Sequence, residues 1–84
     1  MKPIRLTAHA IEQCVERGAK ETQVREAIRR GIGEPAKHGR LMYRLNFQYS
    51  ARWQDKYYAI KQVAPVVAQE QNEIVVIMVY TFYF

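Results

Sequence analysis

Residues 74–84 read Ile-Val-Val-Ile-Met-Val-Tyr-Thr-Phe-Tyr-Phe, eleven positions without a single charge. β-Branched and aromatic side chains dominate the run, and these favour a pleated backbone. A membrane-spanning helix needs about 20 apolar residues, so the run is too short to cross a bilayer as a helix. A strand with almost no polar break is central in its sheet and covered on both faces. One face therefore calls for helices. The other calls for a loop, a ligand or a second subunit.

Upstream, the sequence supplies the sheet that such a strand needs. Leu41, Tyr43, Leu45 and Phe47 alternate with Met42, Arg44 and Asn46, the period-two signature of a half-buried strand. Residues 48–55 hold Ser50 and Asp55 and read as a loop containing Trp53. Residues 56–63 read as a second strand, and Pro65, which cannot donate a ladder hydrogen bond, marks a bulge, an edge or a strand end. Residues 66–68 extend that strand beyond it, and residues 69–72 form a polar turn.

The helices come first in the chain. Residues 8–17 form the first, with Thr7 as N-cap and Gly18 as the left-handed residue that ends it. At 100° per residue its apolar face is Ala10, Ile11, Cys14 and Val15, opposite His9, Glu12, Gln13, Glu16 and Arg17. Residues 21–30 form the second, with Val24, Ala27, Ile28 and Gly31 at i, i+3, i+4, i+7 and a stop at Gly31, Gly33 and Pro35. The expected architecture is α+β: one domain over residues 1–84, two N-terminal helices packed on a three- to four-stranded antiparallel sheet. Ile11, Val15, Val24, Ile28, Ile60, Val76 and Met78 are its expected core.

Length and composition set the outer bounds. Eighty-four residues suit one core, and 49% hydrophobic with 25% charged residues is globular rather than disordered. The formal net charge of +5 is unevenly placed. Residues 1–36 balance at +2 and residues 64–84 at −2, while residues 37–63 set six cations against Asp55 alone. Cys14 is the single cysteine, so no internal disulfide forms and a reducing compartment is expected. No apolar leader follows Met1-Lys2-Pro3, which points to a cytoplasmic protein without a membrane segment.

The segment Leu6-Thr7-Ala8-His9-Ala10-Ile11-Glu12-Gln13-Cys14-Val15-Glu16-Arg17-Gly18, together with Val79-Tyr80-Thr81 near the end, resembles the family known as domain of unknown function 4258. That family opens with Thr or Ser, His-Ala and Glu-Arg-Gly, and closes on a hydrophobic strand. More distantly the chain resembles RelE-like and BrnT-like ribonuclease toxins of toxin–antitoxin operons. The resemblance implies a RelE-like fold, RNA as substrate and an antitoxin-like protein partner. Two positions depart from the family pattern. Gln13 stands where an arginine is common, which removes a candidate phosphate ligand, and Lys20 stands where Ser or Thr often caps the second helix.

His9 is the first candidate for chemistry, because histidine acts as general acid or base and Arg17 lies two turns along the same face. Its bland alternative is a solvated histidine near a helix start. Arg17, Arg44 and Lys61 are the candidate cations for a phosphorane, and Tyr80 a candidate hydrogen-bond donor. The second candidate is a binding surface. Six of the ten aromatics fall between Tyr43 and Tyr58, interleaved with Arg40, Arg44, Arg52 and Lys56. Bases stack on aromatic faces while cations hold the backbone, which makes Arg40, Tyr43, Arg52, Trp53 and Lys56 the expected RNA-binding residues. The alternative is aromatic core beneath a basic edge that blunts aggregation. His38 reads as a solvated loop histidine, and Cys14 as a small core residue. Two histidines and one cysteine show no ligand spacing, so no metal and no cofactor is expected. The leading expectation is a metal-independent ribonuclease of the toxin type. The alternative is a non-catalytic RNA- or protein-binding module, and a homodimer through the C-terminal strand is a third.

Overall fold

The computed structural model describes all residues from Met1 to Phe84. Helix α1 spans Ala8–Arg17 and α2 spans Glu21–Arg30. Their ends form as the residue types dictate. The Thr7 hydroxyl accepts from the Ala10 amide at 3.1 Å, and Gly18 closes α1 in the left-handed region at φ 76°. For α2, the Gln23 side chain accepts from the Lys20 amide at 3.1 Å, and Arg30 pairs with Glu26 one turn away. No helix is long and apolar enough to cross a membrane.

Five strands form one sheet: β1 (Ile4–Leu6), β2 (Ile32–Pro35), β3 (Leu41–Trp53), β4 (Lys56–Gln69) and β5 (Ile74–Tyr83). Their order is β1-β5-β4-β3-β2. β5 is interior over Ile74–Val76, where β1 lies beside it, and has β4 as its only strand neighbour beyond. The sheet is mixed, not the three- to four-stranded antiparallel sheet expected, because β1 runs parallel to β5 at the far edge. β1 has only three residues and β2 is Ile-Gly-Glu-Pro, so neither carries a periodic signal strong enough to read.

Residues 48–53 are strand rather than loop. A bulge at the Gln48/Ala51 register shift absorbs Ser50 at φ 48°, and Gln54 and Asp55 turn the chain at φ 50° and 67°. Two consecutive positive-φ residues match the right-handed twist of a tight hairpin, but no Asn-Gly or Asp-Gly announces this one. Pro65 sits within β4, between the pairs Met42↔Val66 and Leu45↔Val63, which keep one register with β3. A second irregularity, at Val66/Val67 opposite β5, re-phases that strand.

Beyond the short β1, the backbone of Val79 has no strand neighbour on α1's side. The Gln13 side-chain carbonyl accepts from its N–H at 2.8 Å, and Arg17 Nη1 donates to its carbonyl at 2.8 Å. Thr81 and Tyr83 hydroxyls donate in turn to the Arg17 carbonyl, at 3.0 and 2.6 Å. α1 therefore covers an otherwise open sheet edge with polar groups. The consequence is a rotated helix: Ala10, Gln13 and Cys14 are buried, while Ile11 and Val15 are 43% and 80% exposed. The expectation of Ile11 and Val15 in the core is wrong, because satisfying strand backbone outweighs two aliphatic side chains. The core itself is Val24, Ile28, Val63, Val67, Val76 and Val79 with Ile4, Leu6, Ala10, Cys14 and Ile74. Ile60 and Met78 are only half-buried and lie outside it.

Candidate nucleic-acid interface

Both helices pack on one face of the sheet, α1 against β5 and α2 against β3 and β4. The opposite face carries no helix. Strand alternation and register place three cross-strand rows there: Met42, Val66 and Met78; Ala64 and Tyr80, next to Arg44; and Asn46, Gln62 and Phe82. The Tyr80 and Phe82 rings lie 6.4 Å apart at 21°. Arg17 reaches round the sheet edge to sit 5.1 Å from the Tyr80 centroid, and Arg44 lies 5.5 Å from that of Phe82. Arg44 is held flat by Glu34 at 3.0 Å and by Gln62 at 2.9 Å, and Gln62 donates onward to Asn46 at 2.9 Å.

At one end of this face the connection from β2 to β3 folds back over the sheet and encloses a groove of about 580 Å³. Met42, Val66, Met78 and Tyr80 form its floor; Lys37, His38, Arg40 and Arg44 stand around it. Glu34 is the one carboxylate in the lining, and it is already paired with Arg44. His38 lies in the left-handed region at φ 62°, ψ 34°, inside the 3₁₀ turn Lys37–Gly39. For a non-glycine residue that conformation costs about 1 kcal/mol or more, and such strain collects at functional sites. A second groove of about 510 Å³ shares Glu34 and Arg44 and continues past Arg30, Asn46 and Gln62.

The expected catalytic residues do not form one set. Arg17, Arg44 and Tyr80 reach the helix-free face. His9 is exposed on α1 and lines neither groove. It stands about 12 Å along the helix axis from Arg17 at 1.5 Å per residue. Lys61 points to the helix side, 4% exposed, and donates to the Gly18 carbonyl at 2.8 Å over the Tyr49 ring. Burial, then the nearby charge of Lys20, pulls its ammonium below the usual lysine pKa. Lys61 is thus a cation closing the C-terminus of α1, where the helix dipole favours it.

The expected RNA-binding residues also divide. Arg40 lines the main groove. Tyr43 packs against the core, with its ring over Gly33, where a Cβ would come within 2.9 Å. Trp53 is not in a free loop: it stacks on Tyr83 at 5.0 Å and 12°, and Tyr49 and Tyr58 meet the same ring. These aromatics clasp the β3–β4 hairpin to the end of α1. Arg52 donates to the Asp55 carbonyl across the turn, and Lys56 lies 5.8 Å from the Tyr58 ring. Sequence reasoning does not single out Glu34, Met42 or Phe82, assigns Met78 to the core, and sets His38 aside. The alternation of residues 41–47 does place Met42 and Arg44 away from Tyr43 and Leu45. No local signal tells that residues 34–40 fold back above them.

Comparison of the chain with protein-family models, with curated proteins and with solved structures gives no match.

Proposed function

We propose that the protein binds single-stranded RNA along the helix-free face of its sheet. The observation that carries this reading is the continuity of a cation-rimmed groove with an aromatic pair, Tyr80 and Phe82, flanked by Arg17 and Arg44. Unpaired bases offer both faces for stacking, and arginine and lysine hold the phosphates between them. The resemblance of residues 6–18 to domain of unknown function 4258, and the more distant one of the chain to ribonuclease toxins, directs the reading to RNA. The test is fluorescence anisotropy of a labelled single-stranded RNA across a salt series. For a single strand the salt slope is about 0.7 for each phosphate neutralised. Replacing Arg40 and Arg44 together should flatten it by roughly 1.4, and Tyr80→Ala should weaken binding with little change of slope. Unaltered affinity in both variants would exclude this face.

A second reading is metal-independent RNA cleavage in the groove, with the fold taken as RelE-like. It is favoured by one observation: His38, Arg44 and Tyr80 line the same groove. A base there would take the proton of the 2′-hydroxyl as that oxygen attacks phosphorus, and the departing 5′-oxygen would take a proton from water. Single-turnover cleavage in the presence of chelator separates the candidates. A loss of about 10²–10⁴-fold in His38→Ala, with His9→Ala unaffected, supports the groove. The reverse pattern returns the role to His9, and no cleavage by the wild type leaves binding alone.

A further inference from the structure

We infer that the groove beneath the Glu34–Arg40 connection is a nucleotide subsite that seats the terminal nucleotide of an RNA, base on the floor and phosphomonoester at the rim. This inference rests on the RNA-binding reading and deepens it. The floor is Met42, Val66 and Met78 with Tyr80 beside them, and Tyr80 OH lies 3.8 Å from Met78 Sδ. Thioethers are polarizable and pack well on an aromatic ring. The volume, about 580 Å³, falls within the roughly 300–1,000 Å³ of small-molecule sites.

The rim argues for a terminal phosphate over an internal one. Lys37, His38, Arg40 and Arg44 gather around one groove, and the single carboxylate there already pairs with Arg44. An internal phosphodiester carries one negative charge. A terminal phosphomonoester carries about −1.5 to −2 near neutral pH and presents three acceptor oxygens. Arg44 is already oriented by Glu34 and Gln62 through Nε and Nη1, which leaves its Nη2 group free to donate. A fork fixed before binding loses little freedom on meeting a phosphate. His38, held in the left-handed region, stands at the same rim.

The chain has a built-in reporter. It contains three methionines, Met42 and Met78 on the groove floor and Met1 at 81% exposure outside it. The wild-type protein, carbon-13-labelled at the methionine methyls, is titrated by NMR with uridine 5′-monophosphate, adenosine 5′-monophosphate, uridine, adenosine and inorganic phosphate. Both monophosphates should move Met42 and Met78 and leave Met1 in place. The nucleosides and phosphate alone should act only at much higher concentration. In parallel, one RNA oligomer is compared with 5′-hydroxyl and 5′-phosphate ends. The phosphorylated end should bind at least about tenfold tighter, the scale of one charge-assisted hydrogen bond, and Arg40→Ala should erase most of that difference. Equal affinity of the two oligomers would overturn the terminal assignment. Phosphate acting as strongly as the monophosphates would overturn the seating of the base. RNA binding with Met42 and Met78 unmoved by any nucleotide would overturn the subsite while the RNA-binding reading stands. No binding of RNA would remove both.

Discussion

Gly18→Ala tests how the hairpin tip is joined to the helices. Gly18 has φ 76°, a conformation that costs an L-residue roughly 1–2 kcal/mol. A Cβ at this position would also stand 2.7 Å from Trp53 Cζ3, 3.1 Å from Trp53 Cη2 and 2.7 Å from the Tyr83 hydroxyl. Relief requires the indole to slide off Tyr83, with which it stacks at 5.0 Å, or Tyr83 to give up its 2.6 Å bond to the Arg17 carbonyl. An aromatic pair is worth about 0.5–1.5 kcal/mol beyond its buried area, and a hydrogen bond about as much. The backbone and steric costs together come to about 1.5–3.5 kcal/mol. For a domain of this size each kcal/mol moves Tm by about 4–8 °C, so a fall of roughly 6–28 °C is expected. Calorimetry and urea unfolding measure it. In a Trp53→Ala background the clash with the indole should vanish, leaving the backbone cost of about 1–2 kcal/mol and the contact with the Tyr83 hydroxyl. A cost below about 0.5 kcal/mol in Gly18→Ala, or the same cost in both backgrounds, would refute the clasp.

Three further outcomes follow from the same structure. Gln13→Ala leaves the buried Val79 N–H without its acceptor and should cost about 1–3 kcal/mol in urea unfolding, although glutamine is a polar residue on a surface helix. Val15→Lys should change stability by less than about 0.5 kcal/mol, because Val15 is 80% exposed; a destabilisation of several kcal/mol would restore it to the core. The hydrogen bond from Arg5, with that arginine's charge, holds the Glu73 carboxyl below its ordinary value of 4.5. A carboxylate depressed in the folded state adds stability above that value and loses it as pH falls through the folded one. Acid unfolding of Glu73→Gln should therefore lack this part of the wild-type decline below about pH 4.5, and identical acid limbs would discount the pair.

Much of this fold is legible in the chain because its long elements are periodic and clearly capped. Thr7 and Gly18 mark α1, Val24 and Ile28 face the core as spaced, and the charge-free run forms a strand whose first residues are interior to the sheet. What escapes a reading of the sequence depends on partners distant in it. The rotation of α1 follows from Val79, more than sixty residues away, whose backbone needs Gln13 and Arg17. The hairpin turn at Gln54 and Asp55 uses residues that adopt positive φ without the glycine that would announce it. The density of aromatics between Tyr43 and Tyr58 is plain, but composition does not say which face each ring takes. The structure gives Tyr43 to the core and Trp53 to the clasp, and leaves the open face to Met42, Met78, Tyr80 and Phe82. Of the candidate site, Arg40, Arg44 and Tyr80 are identifiable from residue type. The groove is not, because it is made by a short connection folding over a sheet.

The most direct test of RNA binding on the helix-free face is residue-resolved NMR mapping with a short single-stranded RNA at low salt. Backbone and methyl shifts should concentrate at residues 37–44, Met78, Tyr80 and Phe82, while His9, Glu12 and Arg52–Lys56 stay in place. Shifts confined to α1 and α2, or to the hairpin tip, would contradict the account.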